Sequence, residues 1–423
     1  MSIPLDRLYH YIESVAQDVC KDTIIYRFFP HGSKNIANLN PTRNQDVLKF
    51  LTGPQIFCND QEPLNFTLYQ HYGECLAPKE EQDNTTKDYF NLNLRKNIFN
   101  IFDQCILLHS EKNSPEIPKY INKGFIPAYH WSHALIARDW FRYAKHIHVS
   151  KDSIKHDFLI YNRAWSGSRE YRLKFAELVV NNNLVDQCNT SVGFHDQSVH
   201  YSNHVFKNPI WKPTINLELH FNDNASTPCY SADFTIEDYE SSHCEVVLET
   251  LFDTTQLQLT EKVLRPIAIG QPFLLCAPAT SLQYLRSYGF KTFDSVFDES
   301  YDLIENPLER LQAIVSVMKE ISSWDEVTKT NNFNKLKEIT EFNKKHFFSD
   351  DFLNSITSEL KDNLSQAITQ LIQSNTYNRC IALNQYNHSK YLTYQNQNAP
   401  IDYNEAIKTA YCTALNLKQL LNK

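Results

Sequence analysis

The stretch CEVVLETLFDTTQLQLTEKVLRPIAIGQPFLLCAP, residues 244–278, decides the fold of this chain. Its apolar run VVL, residues 246–248, predicts a buried strand. Beyond a polar loop, helical spacing relates four apolar residues, Val263, Leu264, Ile267 and Ala268. Gly270 ends that helix, and the apolar residues 272–275 predict the next strand. Strand, loop, helix and strand in this order are typical of a crossover between parallel strands.

The loop and helix start of such a crossover lie at the carboxyl ends of the strands, where open α/β sheets bind their ligands. Thr260 is placed to cap the helix, and Glu261 and Lys262 form its first turn. A cation at this end opposes the helix dipole, so Lys262 indicates an anion that it shares with the helix amides. The alternative is that Glu261 and Lys262 are ordinary solvated residues and that Glu249 only ends the strand.

The pattern E-T…T-E-K…A-x-G-x-P-F, residues 249–273, resembles the donor-binding signature of fucosyltransferase-like GT-B glycosyltransferases. The following text, SLQYLRSYGFKTFDSVFDESYD, is similar to glycosyltransferases that large bacteriophages encode. Thr250 stands where the family has Asn, and Arg265 and Pro266 lie inside the helix, so the identity of the sugar does not carry over. The resemblance implies a GT-B fold, in which two Rossmann-like α/β domains face each other across a cleft.

The length of 423 residues suits two domains of similar size and an extension. We predict an N-terminal Rossmann-like acceptor domain over residues 1–149. A polar linker then leads into a Rossmann-like donor domain over residues 150–345. Lysine-rich amphipathic segments predict a helical extension over residues 346–423 that packs on the domains.

Composition limits the classes of function. The formal net charge of −8 gives no general attraction to nucleic acid or to anionic membranes. No apolar run has the length of a membrane span, and the ten cysteines form no C-x-x-C pair, so we expect no membrane insertion and a reducing, cytoplasmic location. If a phage encodes the chain, that is the host cytoplasm. With only eight glycines and no glycine-rich phosphate motif, side chains and helix ends must hold any phosphate.

A second anion site is predicted at the turn that follows the strand DFLIY, residues 157–161. This turn and the start of the next helix, residues 162–172, carry three arginines. Guanidinium groups bind phosphate oxygens well, and arginines at a helix start oppose the dipole unless an anion is present. A solvated helix start is the alternative. By the family resemblance, Asn162 and Arg163 belong to the donor site, with Arg163 on the diphosphate and Arg169 as a second contact.

The catalytic base is expected at NDQEP, residues 59–63, after the predicted strand PQIFC. Acidic residues at the carboxyl end of a strand suit a base that takes a proton from the acceptor hydroxyl. The candidates are Asp60 and Glu62, and the alternative is an ordinary Asx turn. The element also resembles a DQEP-like element of the phage group.

Neither a metal nor another cofactor is expected. His130 and His133 have no third ligand at a suitable spacing. The spacing of His195, His200 and His204 invites a metal site, but their segment lacks helical periodicity, and no DxD triplet ends a strand. His130 and Trp131 follow a predicted strand and are candidates for contact with the acceptor. Residues 187–231 are predicted to be a surface loop.

These expectations combine into a glycosyltransferase that moves a sugar from a UDP- or GDP-sugar to an acceptor hydroxyl. Arg163 and Lys262 would stabilise the departing diphosphate, while Glu249 and Glu261 would bind ribose or sugar hydroxyls. The acceptor would be a hydroxymethylated base in phage DNA or a glycan. Inversion is implied by the resemblance, and retention stays open. The alternative is a catalytically silent nucleotide-sugar-binding or assembly protein with the same fold.

Overall fold

The computed structural model describes residues 24–28, 55–59, 105–110, 112–115, 117–122, 125–152, 154–196, 198–222 and 234–373, together with residues 12, 14–16 and 18. The chain divides into two compact units, one formed by Met1–Ser132 with Thr357–Lys423 and the other by His133–Ile356. Each unit contains a four-stranded parallel sheet. The predicted α/β class with parallel sheets is confirmed.

The sheet of the first unit has its strands in chain order: β1 (Ile24–Phe28), β2 (Gln55–Asn59), β3 (Cys105–His109) and β4 (Phe125–Tyr129). The helix α1 (Ile117–Asn122) lies between β3 and β4 in the chain. Apolar side chains on β3 and β4 are buried, as parallel strands require: Ile106, Leu108, Ile126 and Ala128. The predicted strand PQIFC corresponds to β2, and the strand predicted before His130 corresponds to β4.

The sheet of the second unit contains β5 (His156–Asn162), β6 (Cys188–Val192), β9 (Ser242–Leu248) and β10 (Phe273–Cys276), and its spatial order is β10-β9-β5-β6. From β5 the chain crosses to β6 on one side and later enters β9 on the other. The winding of the sheet therefore reverses between β5 and β9. Ligands of open α/β sheets bind at such a reversal, beyond the carboxyl ends of the strands.

Further α-helices of the described part are α2 (Ser132–Trp140), α3 (Tyr171–Asn181), α4 (Ile236–Glu240), α5 (Glu261–Ile269), α6 (Ser281–Ser287), α7 (Pro307–Ser323), α8 (Glu326–Phe347) and α9 (Asp350–Gln373). The helix α3 packs against α7, and α5 packs against α8. Because crossovers between parallel strands are right-handed and these two proceed in opposite directions, α3 and α5 cover opposite faces of the sheet.

The central crossover has the predicted form. The hydroxyl of Thr260 accepts a hydrogen bond from the amide of Lys262 and caps α5. Gly270 ends the helix in the left-handed conformation with φ of 89°, which glycine adopts without the steric cost of a side chain. The strands β9 and β10 on either side of α5 are parallel neighbours. Their apolar side chains form the middle of the second core.

The prediction of a surface loop over residues 187–231 is wrong in part. Its first residues form β6, which pairs with β5, and a short antiparallel hairpin follows, made of β7 (His195–Asp196) and β8 (Val199–His200). The sequence of β6, CNTSV, contains three polar residues and therefore gives no strand signal. Pairing with β5 overrides that weak local preference.

The predicted helical extension over residues 346–423 is described only in part. Its described residues form the end of α8 and the helix α9, and residues 374–423 lie outside the described residues. The helix α2 ends at Trp140, and residues Arg142–His146 continue as a 3-10 helix. Among the helices that the structure does describe, none combines the length and the apolar character needed to cross a membrane.

Candidate functional site

The carboxyl ends of β5 and β9 bring the two predicted donor motifs to one edge of the second sheet. In their register, Phe158 faces Cys244 and Leu159 faces Glu245. The same register brings Arg163 level with Glu249, on strands that lie about 4.8 Å apart. The motif after β5 and the motif after β9 therefore flank the reversal of the sheet.

Glu249 is fully buried directly after β9, and its carboxylate binds the chain itself. One oxygen accepts the amide of Thr260 at 3.0 Å. The other accepts the hydroxyl of Thr260 at 2.6 Å and the amide of Thr250 at 3.2 Å. Glu249 thus fixes the strand end to the cap of α5, and both of its oxygens are occupied by these partners.

Lys262 projects from the first turn of α5 back to the end of β9. Its Nζ donates to Oγ1 of Thr250 at 3.2 Å, to Oγ1 of Thr260 at 3.3 Å and to Glu261 at 2.8 Å. The ammonium group is partly accessible, with its side chain 16% exposed. The five residues predicted after β9 and at the start of α5, Glu249, Thr250, Thr260, Glu261 and Lys262, are therefore brought together.

His133 is a residue near this cluster that the sequence did not assign to it. Its Nε2 lies 3.7 Å from the second carboxylate oxygen of Glu261, and both side chains are buried. Glu261 consequently lies between a lysine and a histidine. The sequence around residue 130 contains two histidines, His130 and His133, but no pattern in it pairs His133 with Glu261.

Arg163 lies on the side of the sheet that α5 covers. Its guanidinium is 4.9 Å from the centre of the Tyr161 ring, and the guanidinium of Arg265, from α5, is 4.5 Å from the same ring. Arg265 follows Lys262 by three residues, which is almost one helical turn. Arg163 and Lys262 therefore lie at the same edge and towards the same helix.

Arg172 corrects the prediction of an arginine cluster that faces an anion. It is buried, and its guanidinium donates to the carbonyl of Ala164 at 2.6 Å and to those of Leu248 and Glu249 at 2.6 and 3.1 Å. These three carbonyls belong to the two strand ends on either side of the reversal. The Asn162 amide donates to the Arg172 carbonyl at 3.0 Å. Arg172 therefore clamps the two turns together.

Asp196 places a carboxylate of the chain itself at the turn after β5, where a bound anion was predicted. One carboxylate oxygen accepts the amides of Trp165 at 2.9 Å and Ser166 at 2.7 Å. Burial alone would raise the pKa of Asp196, but these bonds and the charge of Arg169 lower it. Arg169 also donates to the carbonyl of Ser166 at 3.2 Å. The arginine at this helix start thus has a carboxylate partner within the chain.

Gly193 allows β6 to end against the turn that carries Arg163. Its amide donates to the carbonyl of Asn162 at 3.1 Å, and its carbonyl accepts the indole N–H of Trp165 at 2.8 Å. A side-chain Cβ at this position would lie 2.5 Å from the carbonyl oxygen of Arg163. The absence of a side chain at Gly193 therefore keeps Arg163 in its place.

The remaining predicted site residues have less structural support. Asp60 and Glu62 lie outside the described residues. His130 and Trp131, the candidates for acceptor contact, are both buried, with at most 1% of their surface exposed. Within the described ranges, no three histidine, cysteine or acidic residues are grouped as metal ligands are.

Neither protein-family models, nor curated proteins, nor solved structures gave a match to this chain.

Proposed function

We propose that this chain is a metal-independent glycosyltransferase of the GT-B type, which moves a sugar from a UDP- or GDP-sugar to an acceptor hydroxyl. One observation carries the proposal: Arg163 directly follows β5, and Lys262 reaches from the first turn of α5 to the end of the neighbouring strand β9, where the winding of the sheet reverses. Two cations at this position suit a diphosphate. The predicted acceptor domain, donor domain and helical extension are part of the same proposal.

Arg163 and Lys262 would stabilise the charge that develops on the departing nucleoside diphosphate. A bound diphosphate competes with Glu261 for the ammonium of Lys262, and Arg169 adds a further positive charge after β5. Fixed cations of this kind lower the barrier because they need no reorganisation during the reaction. Glu249 contributes indirectly, since its carboxylate orients Thr250 and Thr260 around Lys262.

Asp60 or Glu62 would take the proton from the acceptor hydroxyl in an inverting transfer. The acceptor would be a hydroxymethylated base in DNA or a hydroxyl of a glycan. A transfer assay with a radiolabelled sugar distinguishes these acceptors. Label that enters duplex DNA carrying 5-hydroxymethylcytosine, and is absent from unmodified DNA, identifies the first. Label that enters an oligosaccharide identifies the second.

Calorimetric titration with UDP- and GDP-sugars tests the donor site. We expect Lys262→Ala to weaken donor binding by at least about tenfold, because a charge-assisted hydrogen bond to phosphate is lost. Lys174→Ala is the matched control. Lys174 also pairs with a buried glutamate, Glu177, and its side chain is 17% exposed, but it lies on α3. Wild-type affinity in Lys262→Ala, or an equal loss in Lys174→Ala, refutes the assignment.

Turnover separates the enzyme from a protein that only binds the donor. We expect Glu62→Gln or Asp60→Asn to abolish transfer and donor hydrolysis while donor affinity in calorimetry stays unchanged. If the wild-type protein binds the donor but shows no turnover with any acceptor, and neither variant changes its behaviour, the chain is a catalytically silent nucleotide-sugar-binding protein.

A further inference from the structure

Gln258 has an amide group that is buried without hydrogen bonds. The residue is 1% exposed, and within the part of the chain that the structure describes neither its Nε2 nor its Oε1 has a hydrogen-bond partner. Buried amides almost always have partners, because leaving a donor and an acceptor unpaired costs free energy. An unpaired buried amide therefore needs an explanation.

The position of Gln258 connects it to the donor site. It lies in the loop from β9 to α5, two residues before Thr260, whose amide and hydroxyl bind Glu249. Its neighbours Leu257 and Leu259 are buried apolar residues and bring no polar side chain to the amide. The unpaired amide thus belongs to the segment that leads directly into Lys262.

We propose that Gln258 is a specificity residue that hydrogen-bonds two adjacent hydroxyls of the nucleotide-sugar. This inference rests on the proposed function. A primary amide donates through Nε2 and accepts through Oε1, and two vicinal hydroxyls offer the complementary acceptor and donor. Both the ribose and the transferred sugar carry such a pair. Neither atom is exposed to water, so contact with the donor requires the side chain to rotate out of its present packing.

The variant Gln258→Leu tests this through two measurements that move in opposite directions. Replacing an unpaired buried amide by an apolar side chain of similar size removes its cost, so we expect the ligand-free protein to melt a few degrees higher. Donor binding should weaken by about tenfold to a hundredfold, because two hydrogen bonds are lost. A residue with a purely structural role would not combine higher stability with weaker binding.

Gln271→Leu is the matched control. Gln271 is also 1% exposed, but its Nε2 donates to the Ser242 carbonyl at 2.9 Å and its Oε1 accepts Nζ of Lys151 at 2.7 Å. Ser242 begins β9, so this glutamine lies at the opposite edge of the sheet. We expect Gln271→Leu to lower the melting temperature and to leave donor affinity unchanged.

Calorimetry with UDP, UDP-glucose, GDP and GDP-mannose separates the two sources of the diol. If Gln258→Leu weakens binding of the free nucleotide, the amide binds the ribose. If it weakens binding only of the nucleotide-sugar, the amide binds the transferred sugar. Unchanged affinity, or a lower melting temperature, overturns the role of Gln258 and leaves the proposed function standing. A wild-type protein that binds none of the four ligands overturns both.

Discussion

At the scale of single residues, carboxylates of the chain itself accept hydrogen bonds from backbone amides at three strand ends of the second sheet. Asp196 accepts amides after β5, and Glu249 accepts amides after β9. After β10, Asp302 accepts the amide of Leu282 at the start of α6, at 3.0 Å. Amides in such positions often bind phosphate in other α/β proteins. Here a diphosphate would therefore depend mainly on side chains, which agrees with the absence of a glycine-rich motif.

Asp196→Asn tests whether Arg169 is a donor contact. An asparagine oxygen can still accept the amides of Trp165 and Ser166, but the negative charge beside Arg169 is removed. We expect donor affinity to rise by about twofold to fivefold, since an exposed charge interaction contributes up to about 1 kcal/mol.

Asp325→Asn is the control for this variant. Asp325 also accepts a backbone amide, that of Thr328 at 2.7 Å, but it caps α8. Lys329 of α8 pairs with Asp157 near the start of β5, so this cap belongs to the other edge of the sheet. Unchanged or weaker donor binding in Asp196→Asn would show that Arg169 does not contact the donor.

The lowered pKa of Asp196 also predicts a pH dependence of stability. The folded protein favours the charged form of Asp196, so the pKa of this carboxyl is lower than in the unfolded chain, where an aspartate has a pKa of about 3.9. This stabilisation is present above that value and is lost as the pH falls through the lower pKa of the folded state. In urea unfolding, the stability advantage of wild type over Asp196→Asn should shrink between pH 6 and pH 3. A constant difference would contradict the assignment.

At the scale of elements, the start of α5 depends on the Thr260 hydroxyl. This group donates to Glu249 and accepts the amide of Lys262. Thr260→Val keeps the shape but removes both bonds, and leaves the buried Glu249 with fewer donors. We expect a loss of about 1–3 kcal/mol in the free energy of unfolding. Thr260→Ser keeps the hydroxyl and should recover most of the lost free energy of unfolding when both variants are compared by denaturant titration. Equal losses in the two variants would contradict the role of the hydroxyl in capping α5.

The buried network below Arg163 joins α5, α4 and β9. Arg265 forms an ion pair with Glu245 and donates to the Tyr239 hydroxyl at 2.9 Å, and Tyr239 donates to Glu245 at 2.5 Å. Burial alone would lower the pKa of Arg265, but Glu245 raises it. The guanidinium therefore stays charged and keeps its contact with Tyr161.

Arg265→Met should destabilise the protein by about 3–5 kcal/mol, because Glu245 is left buried without its cation. The double variant Arg265→Met with Glu245→Met removes both charges, and we expect it to regain much of this loss. Chemical denaturation of wild type, both single variants and the double variant measures the coupling. Additive losses would indicate that the two residues act independently.

The sequence predicted the crossover but could not show which polar residues are buried. Apolar periodicity, the Thr260 cap and Gly270 were sufficient for β9, α5 and β10. Arg172 shares one face of α3 with Phe175 and Val179, and that spacing was a signal for burial, but its charge favoured an anion-binding role. Similarly, the position of Glu249 at a strand end is typical of a residue that binds a ligand. Its hydrogen bonds to Thr250 and Thr260 show instead that it connects β9 to α5.

At the scale of the whole molecule, the second sheet predicts where the chain should resist opening. In the described sheet, β5 and β9 have parallel neighbours on both sides, whereas β6 and β10 have one described neighbour each. Amides of β5 and β9 should therefore show the slowest hydrogen exchange, and those of the β7–β8 hairpin should be among the fastest. Exchange followed by mass spectrometry checks this order. Faster exchange in β9 than in β6 would contradict it.

Strand order is the property of this molecule that sequence patterns could not supply. The alternation of strands and helices predicted an α/β chain, but it did not predict that β5 and β9 are neighbours. One reason is that β6 gave no strand signal, so the position of the reversal could not be derived. The pairing of distant segments depends on packing between faces, which local periodicity does not encode.

Three strands of the second sheet each carry a free thiol that is almost completely enclosed: Cys188 on β6, Cys244 on β9 and Cys276 on β10. Burial raises the pKa of each thiol, so little reactive thiolate forms while the sheet is intact. An alkylating reagent such as iodoacetamide can modify these positions only during excursions that separate the strands. The rate at which each of these three cysteines is alkylated in the native protein therefore reports the rate at which its own strand separates from the sheet.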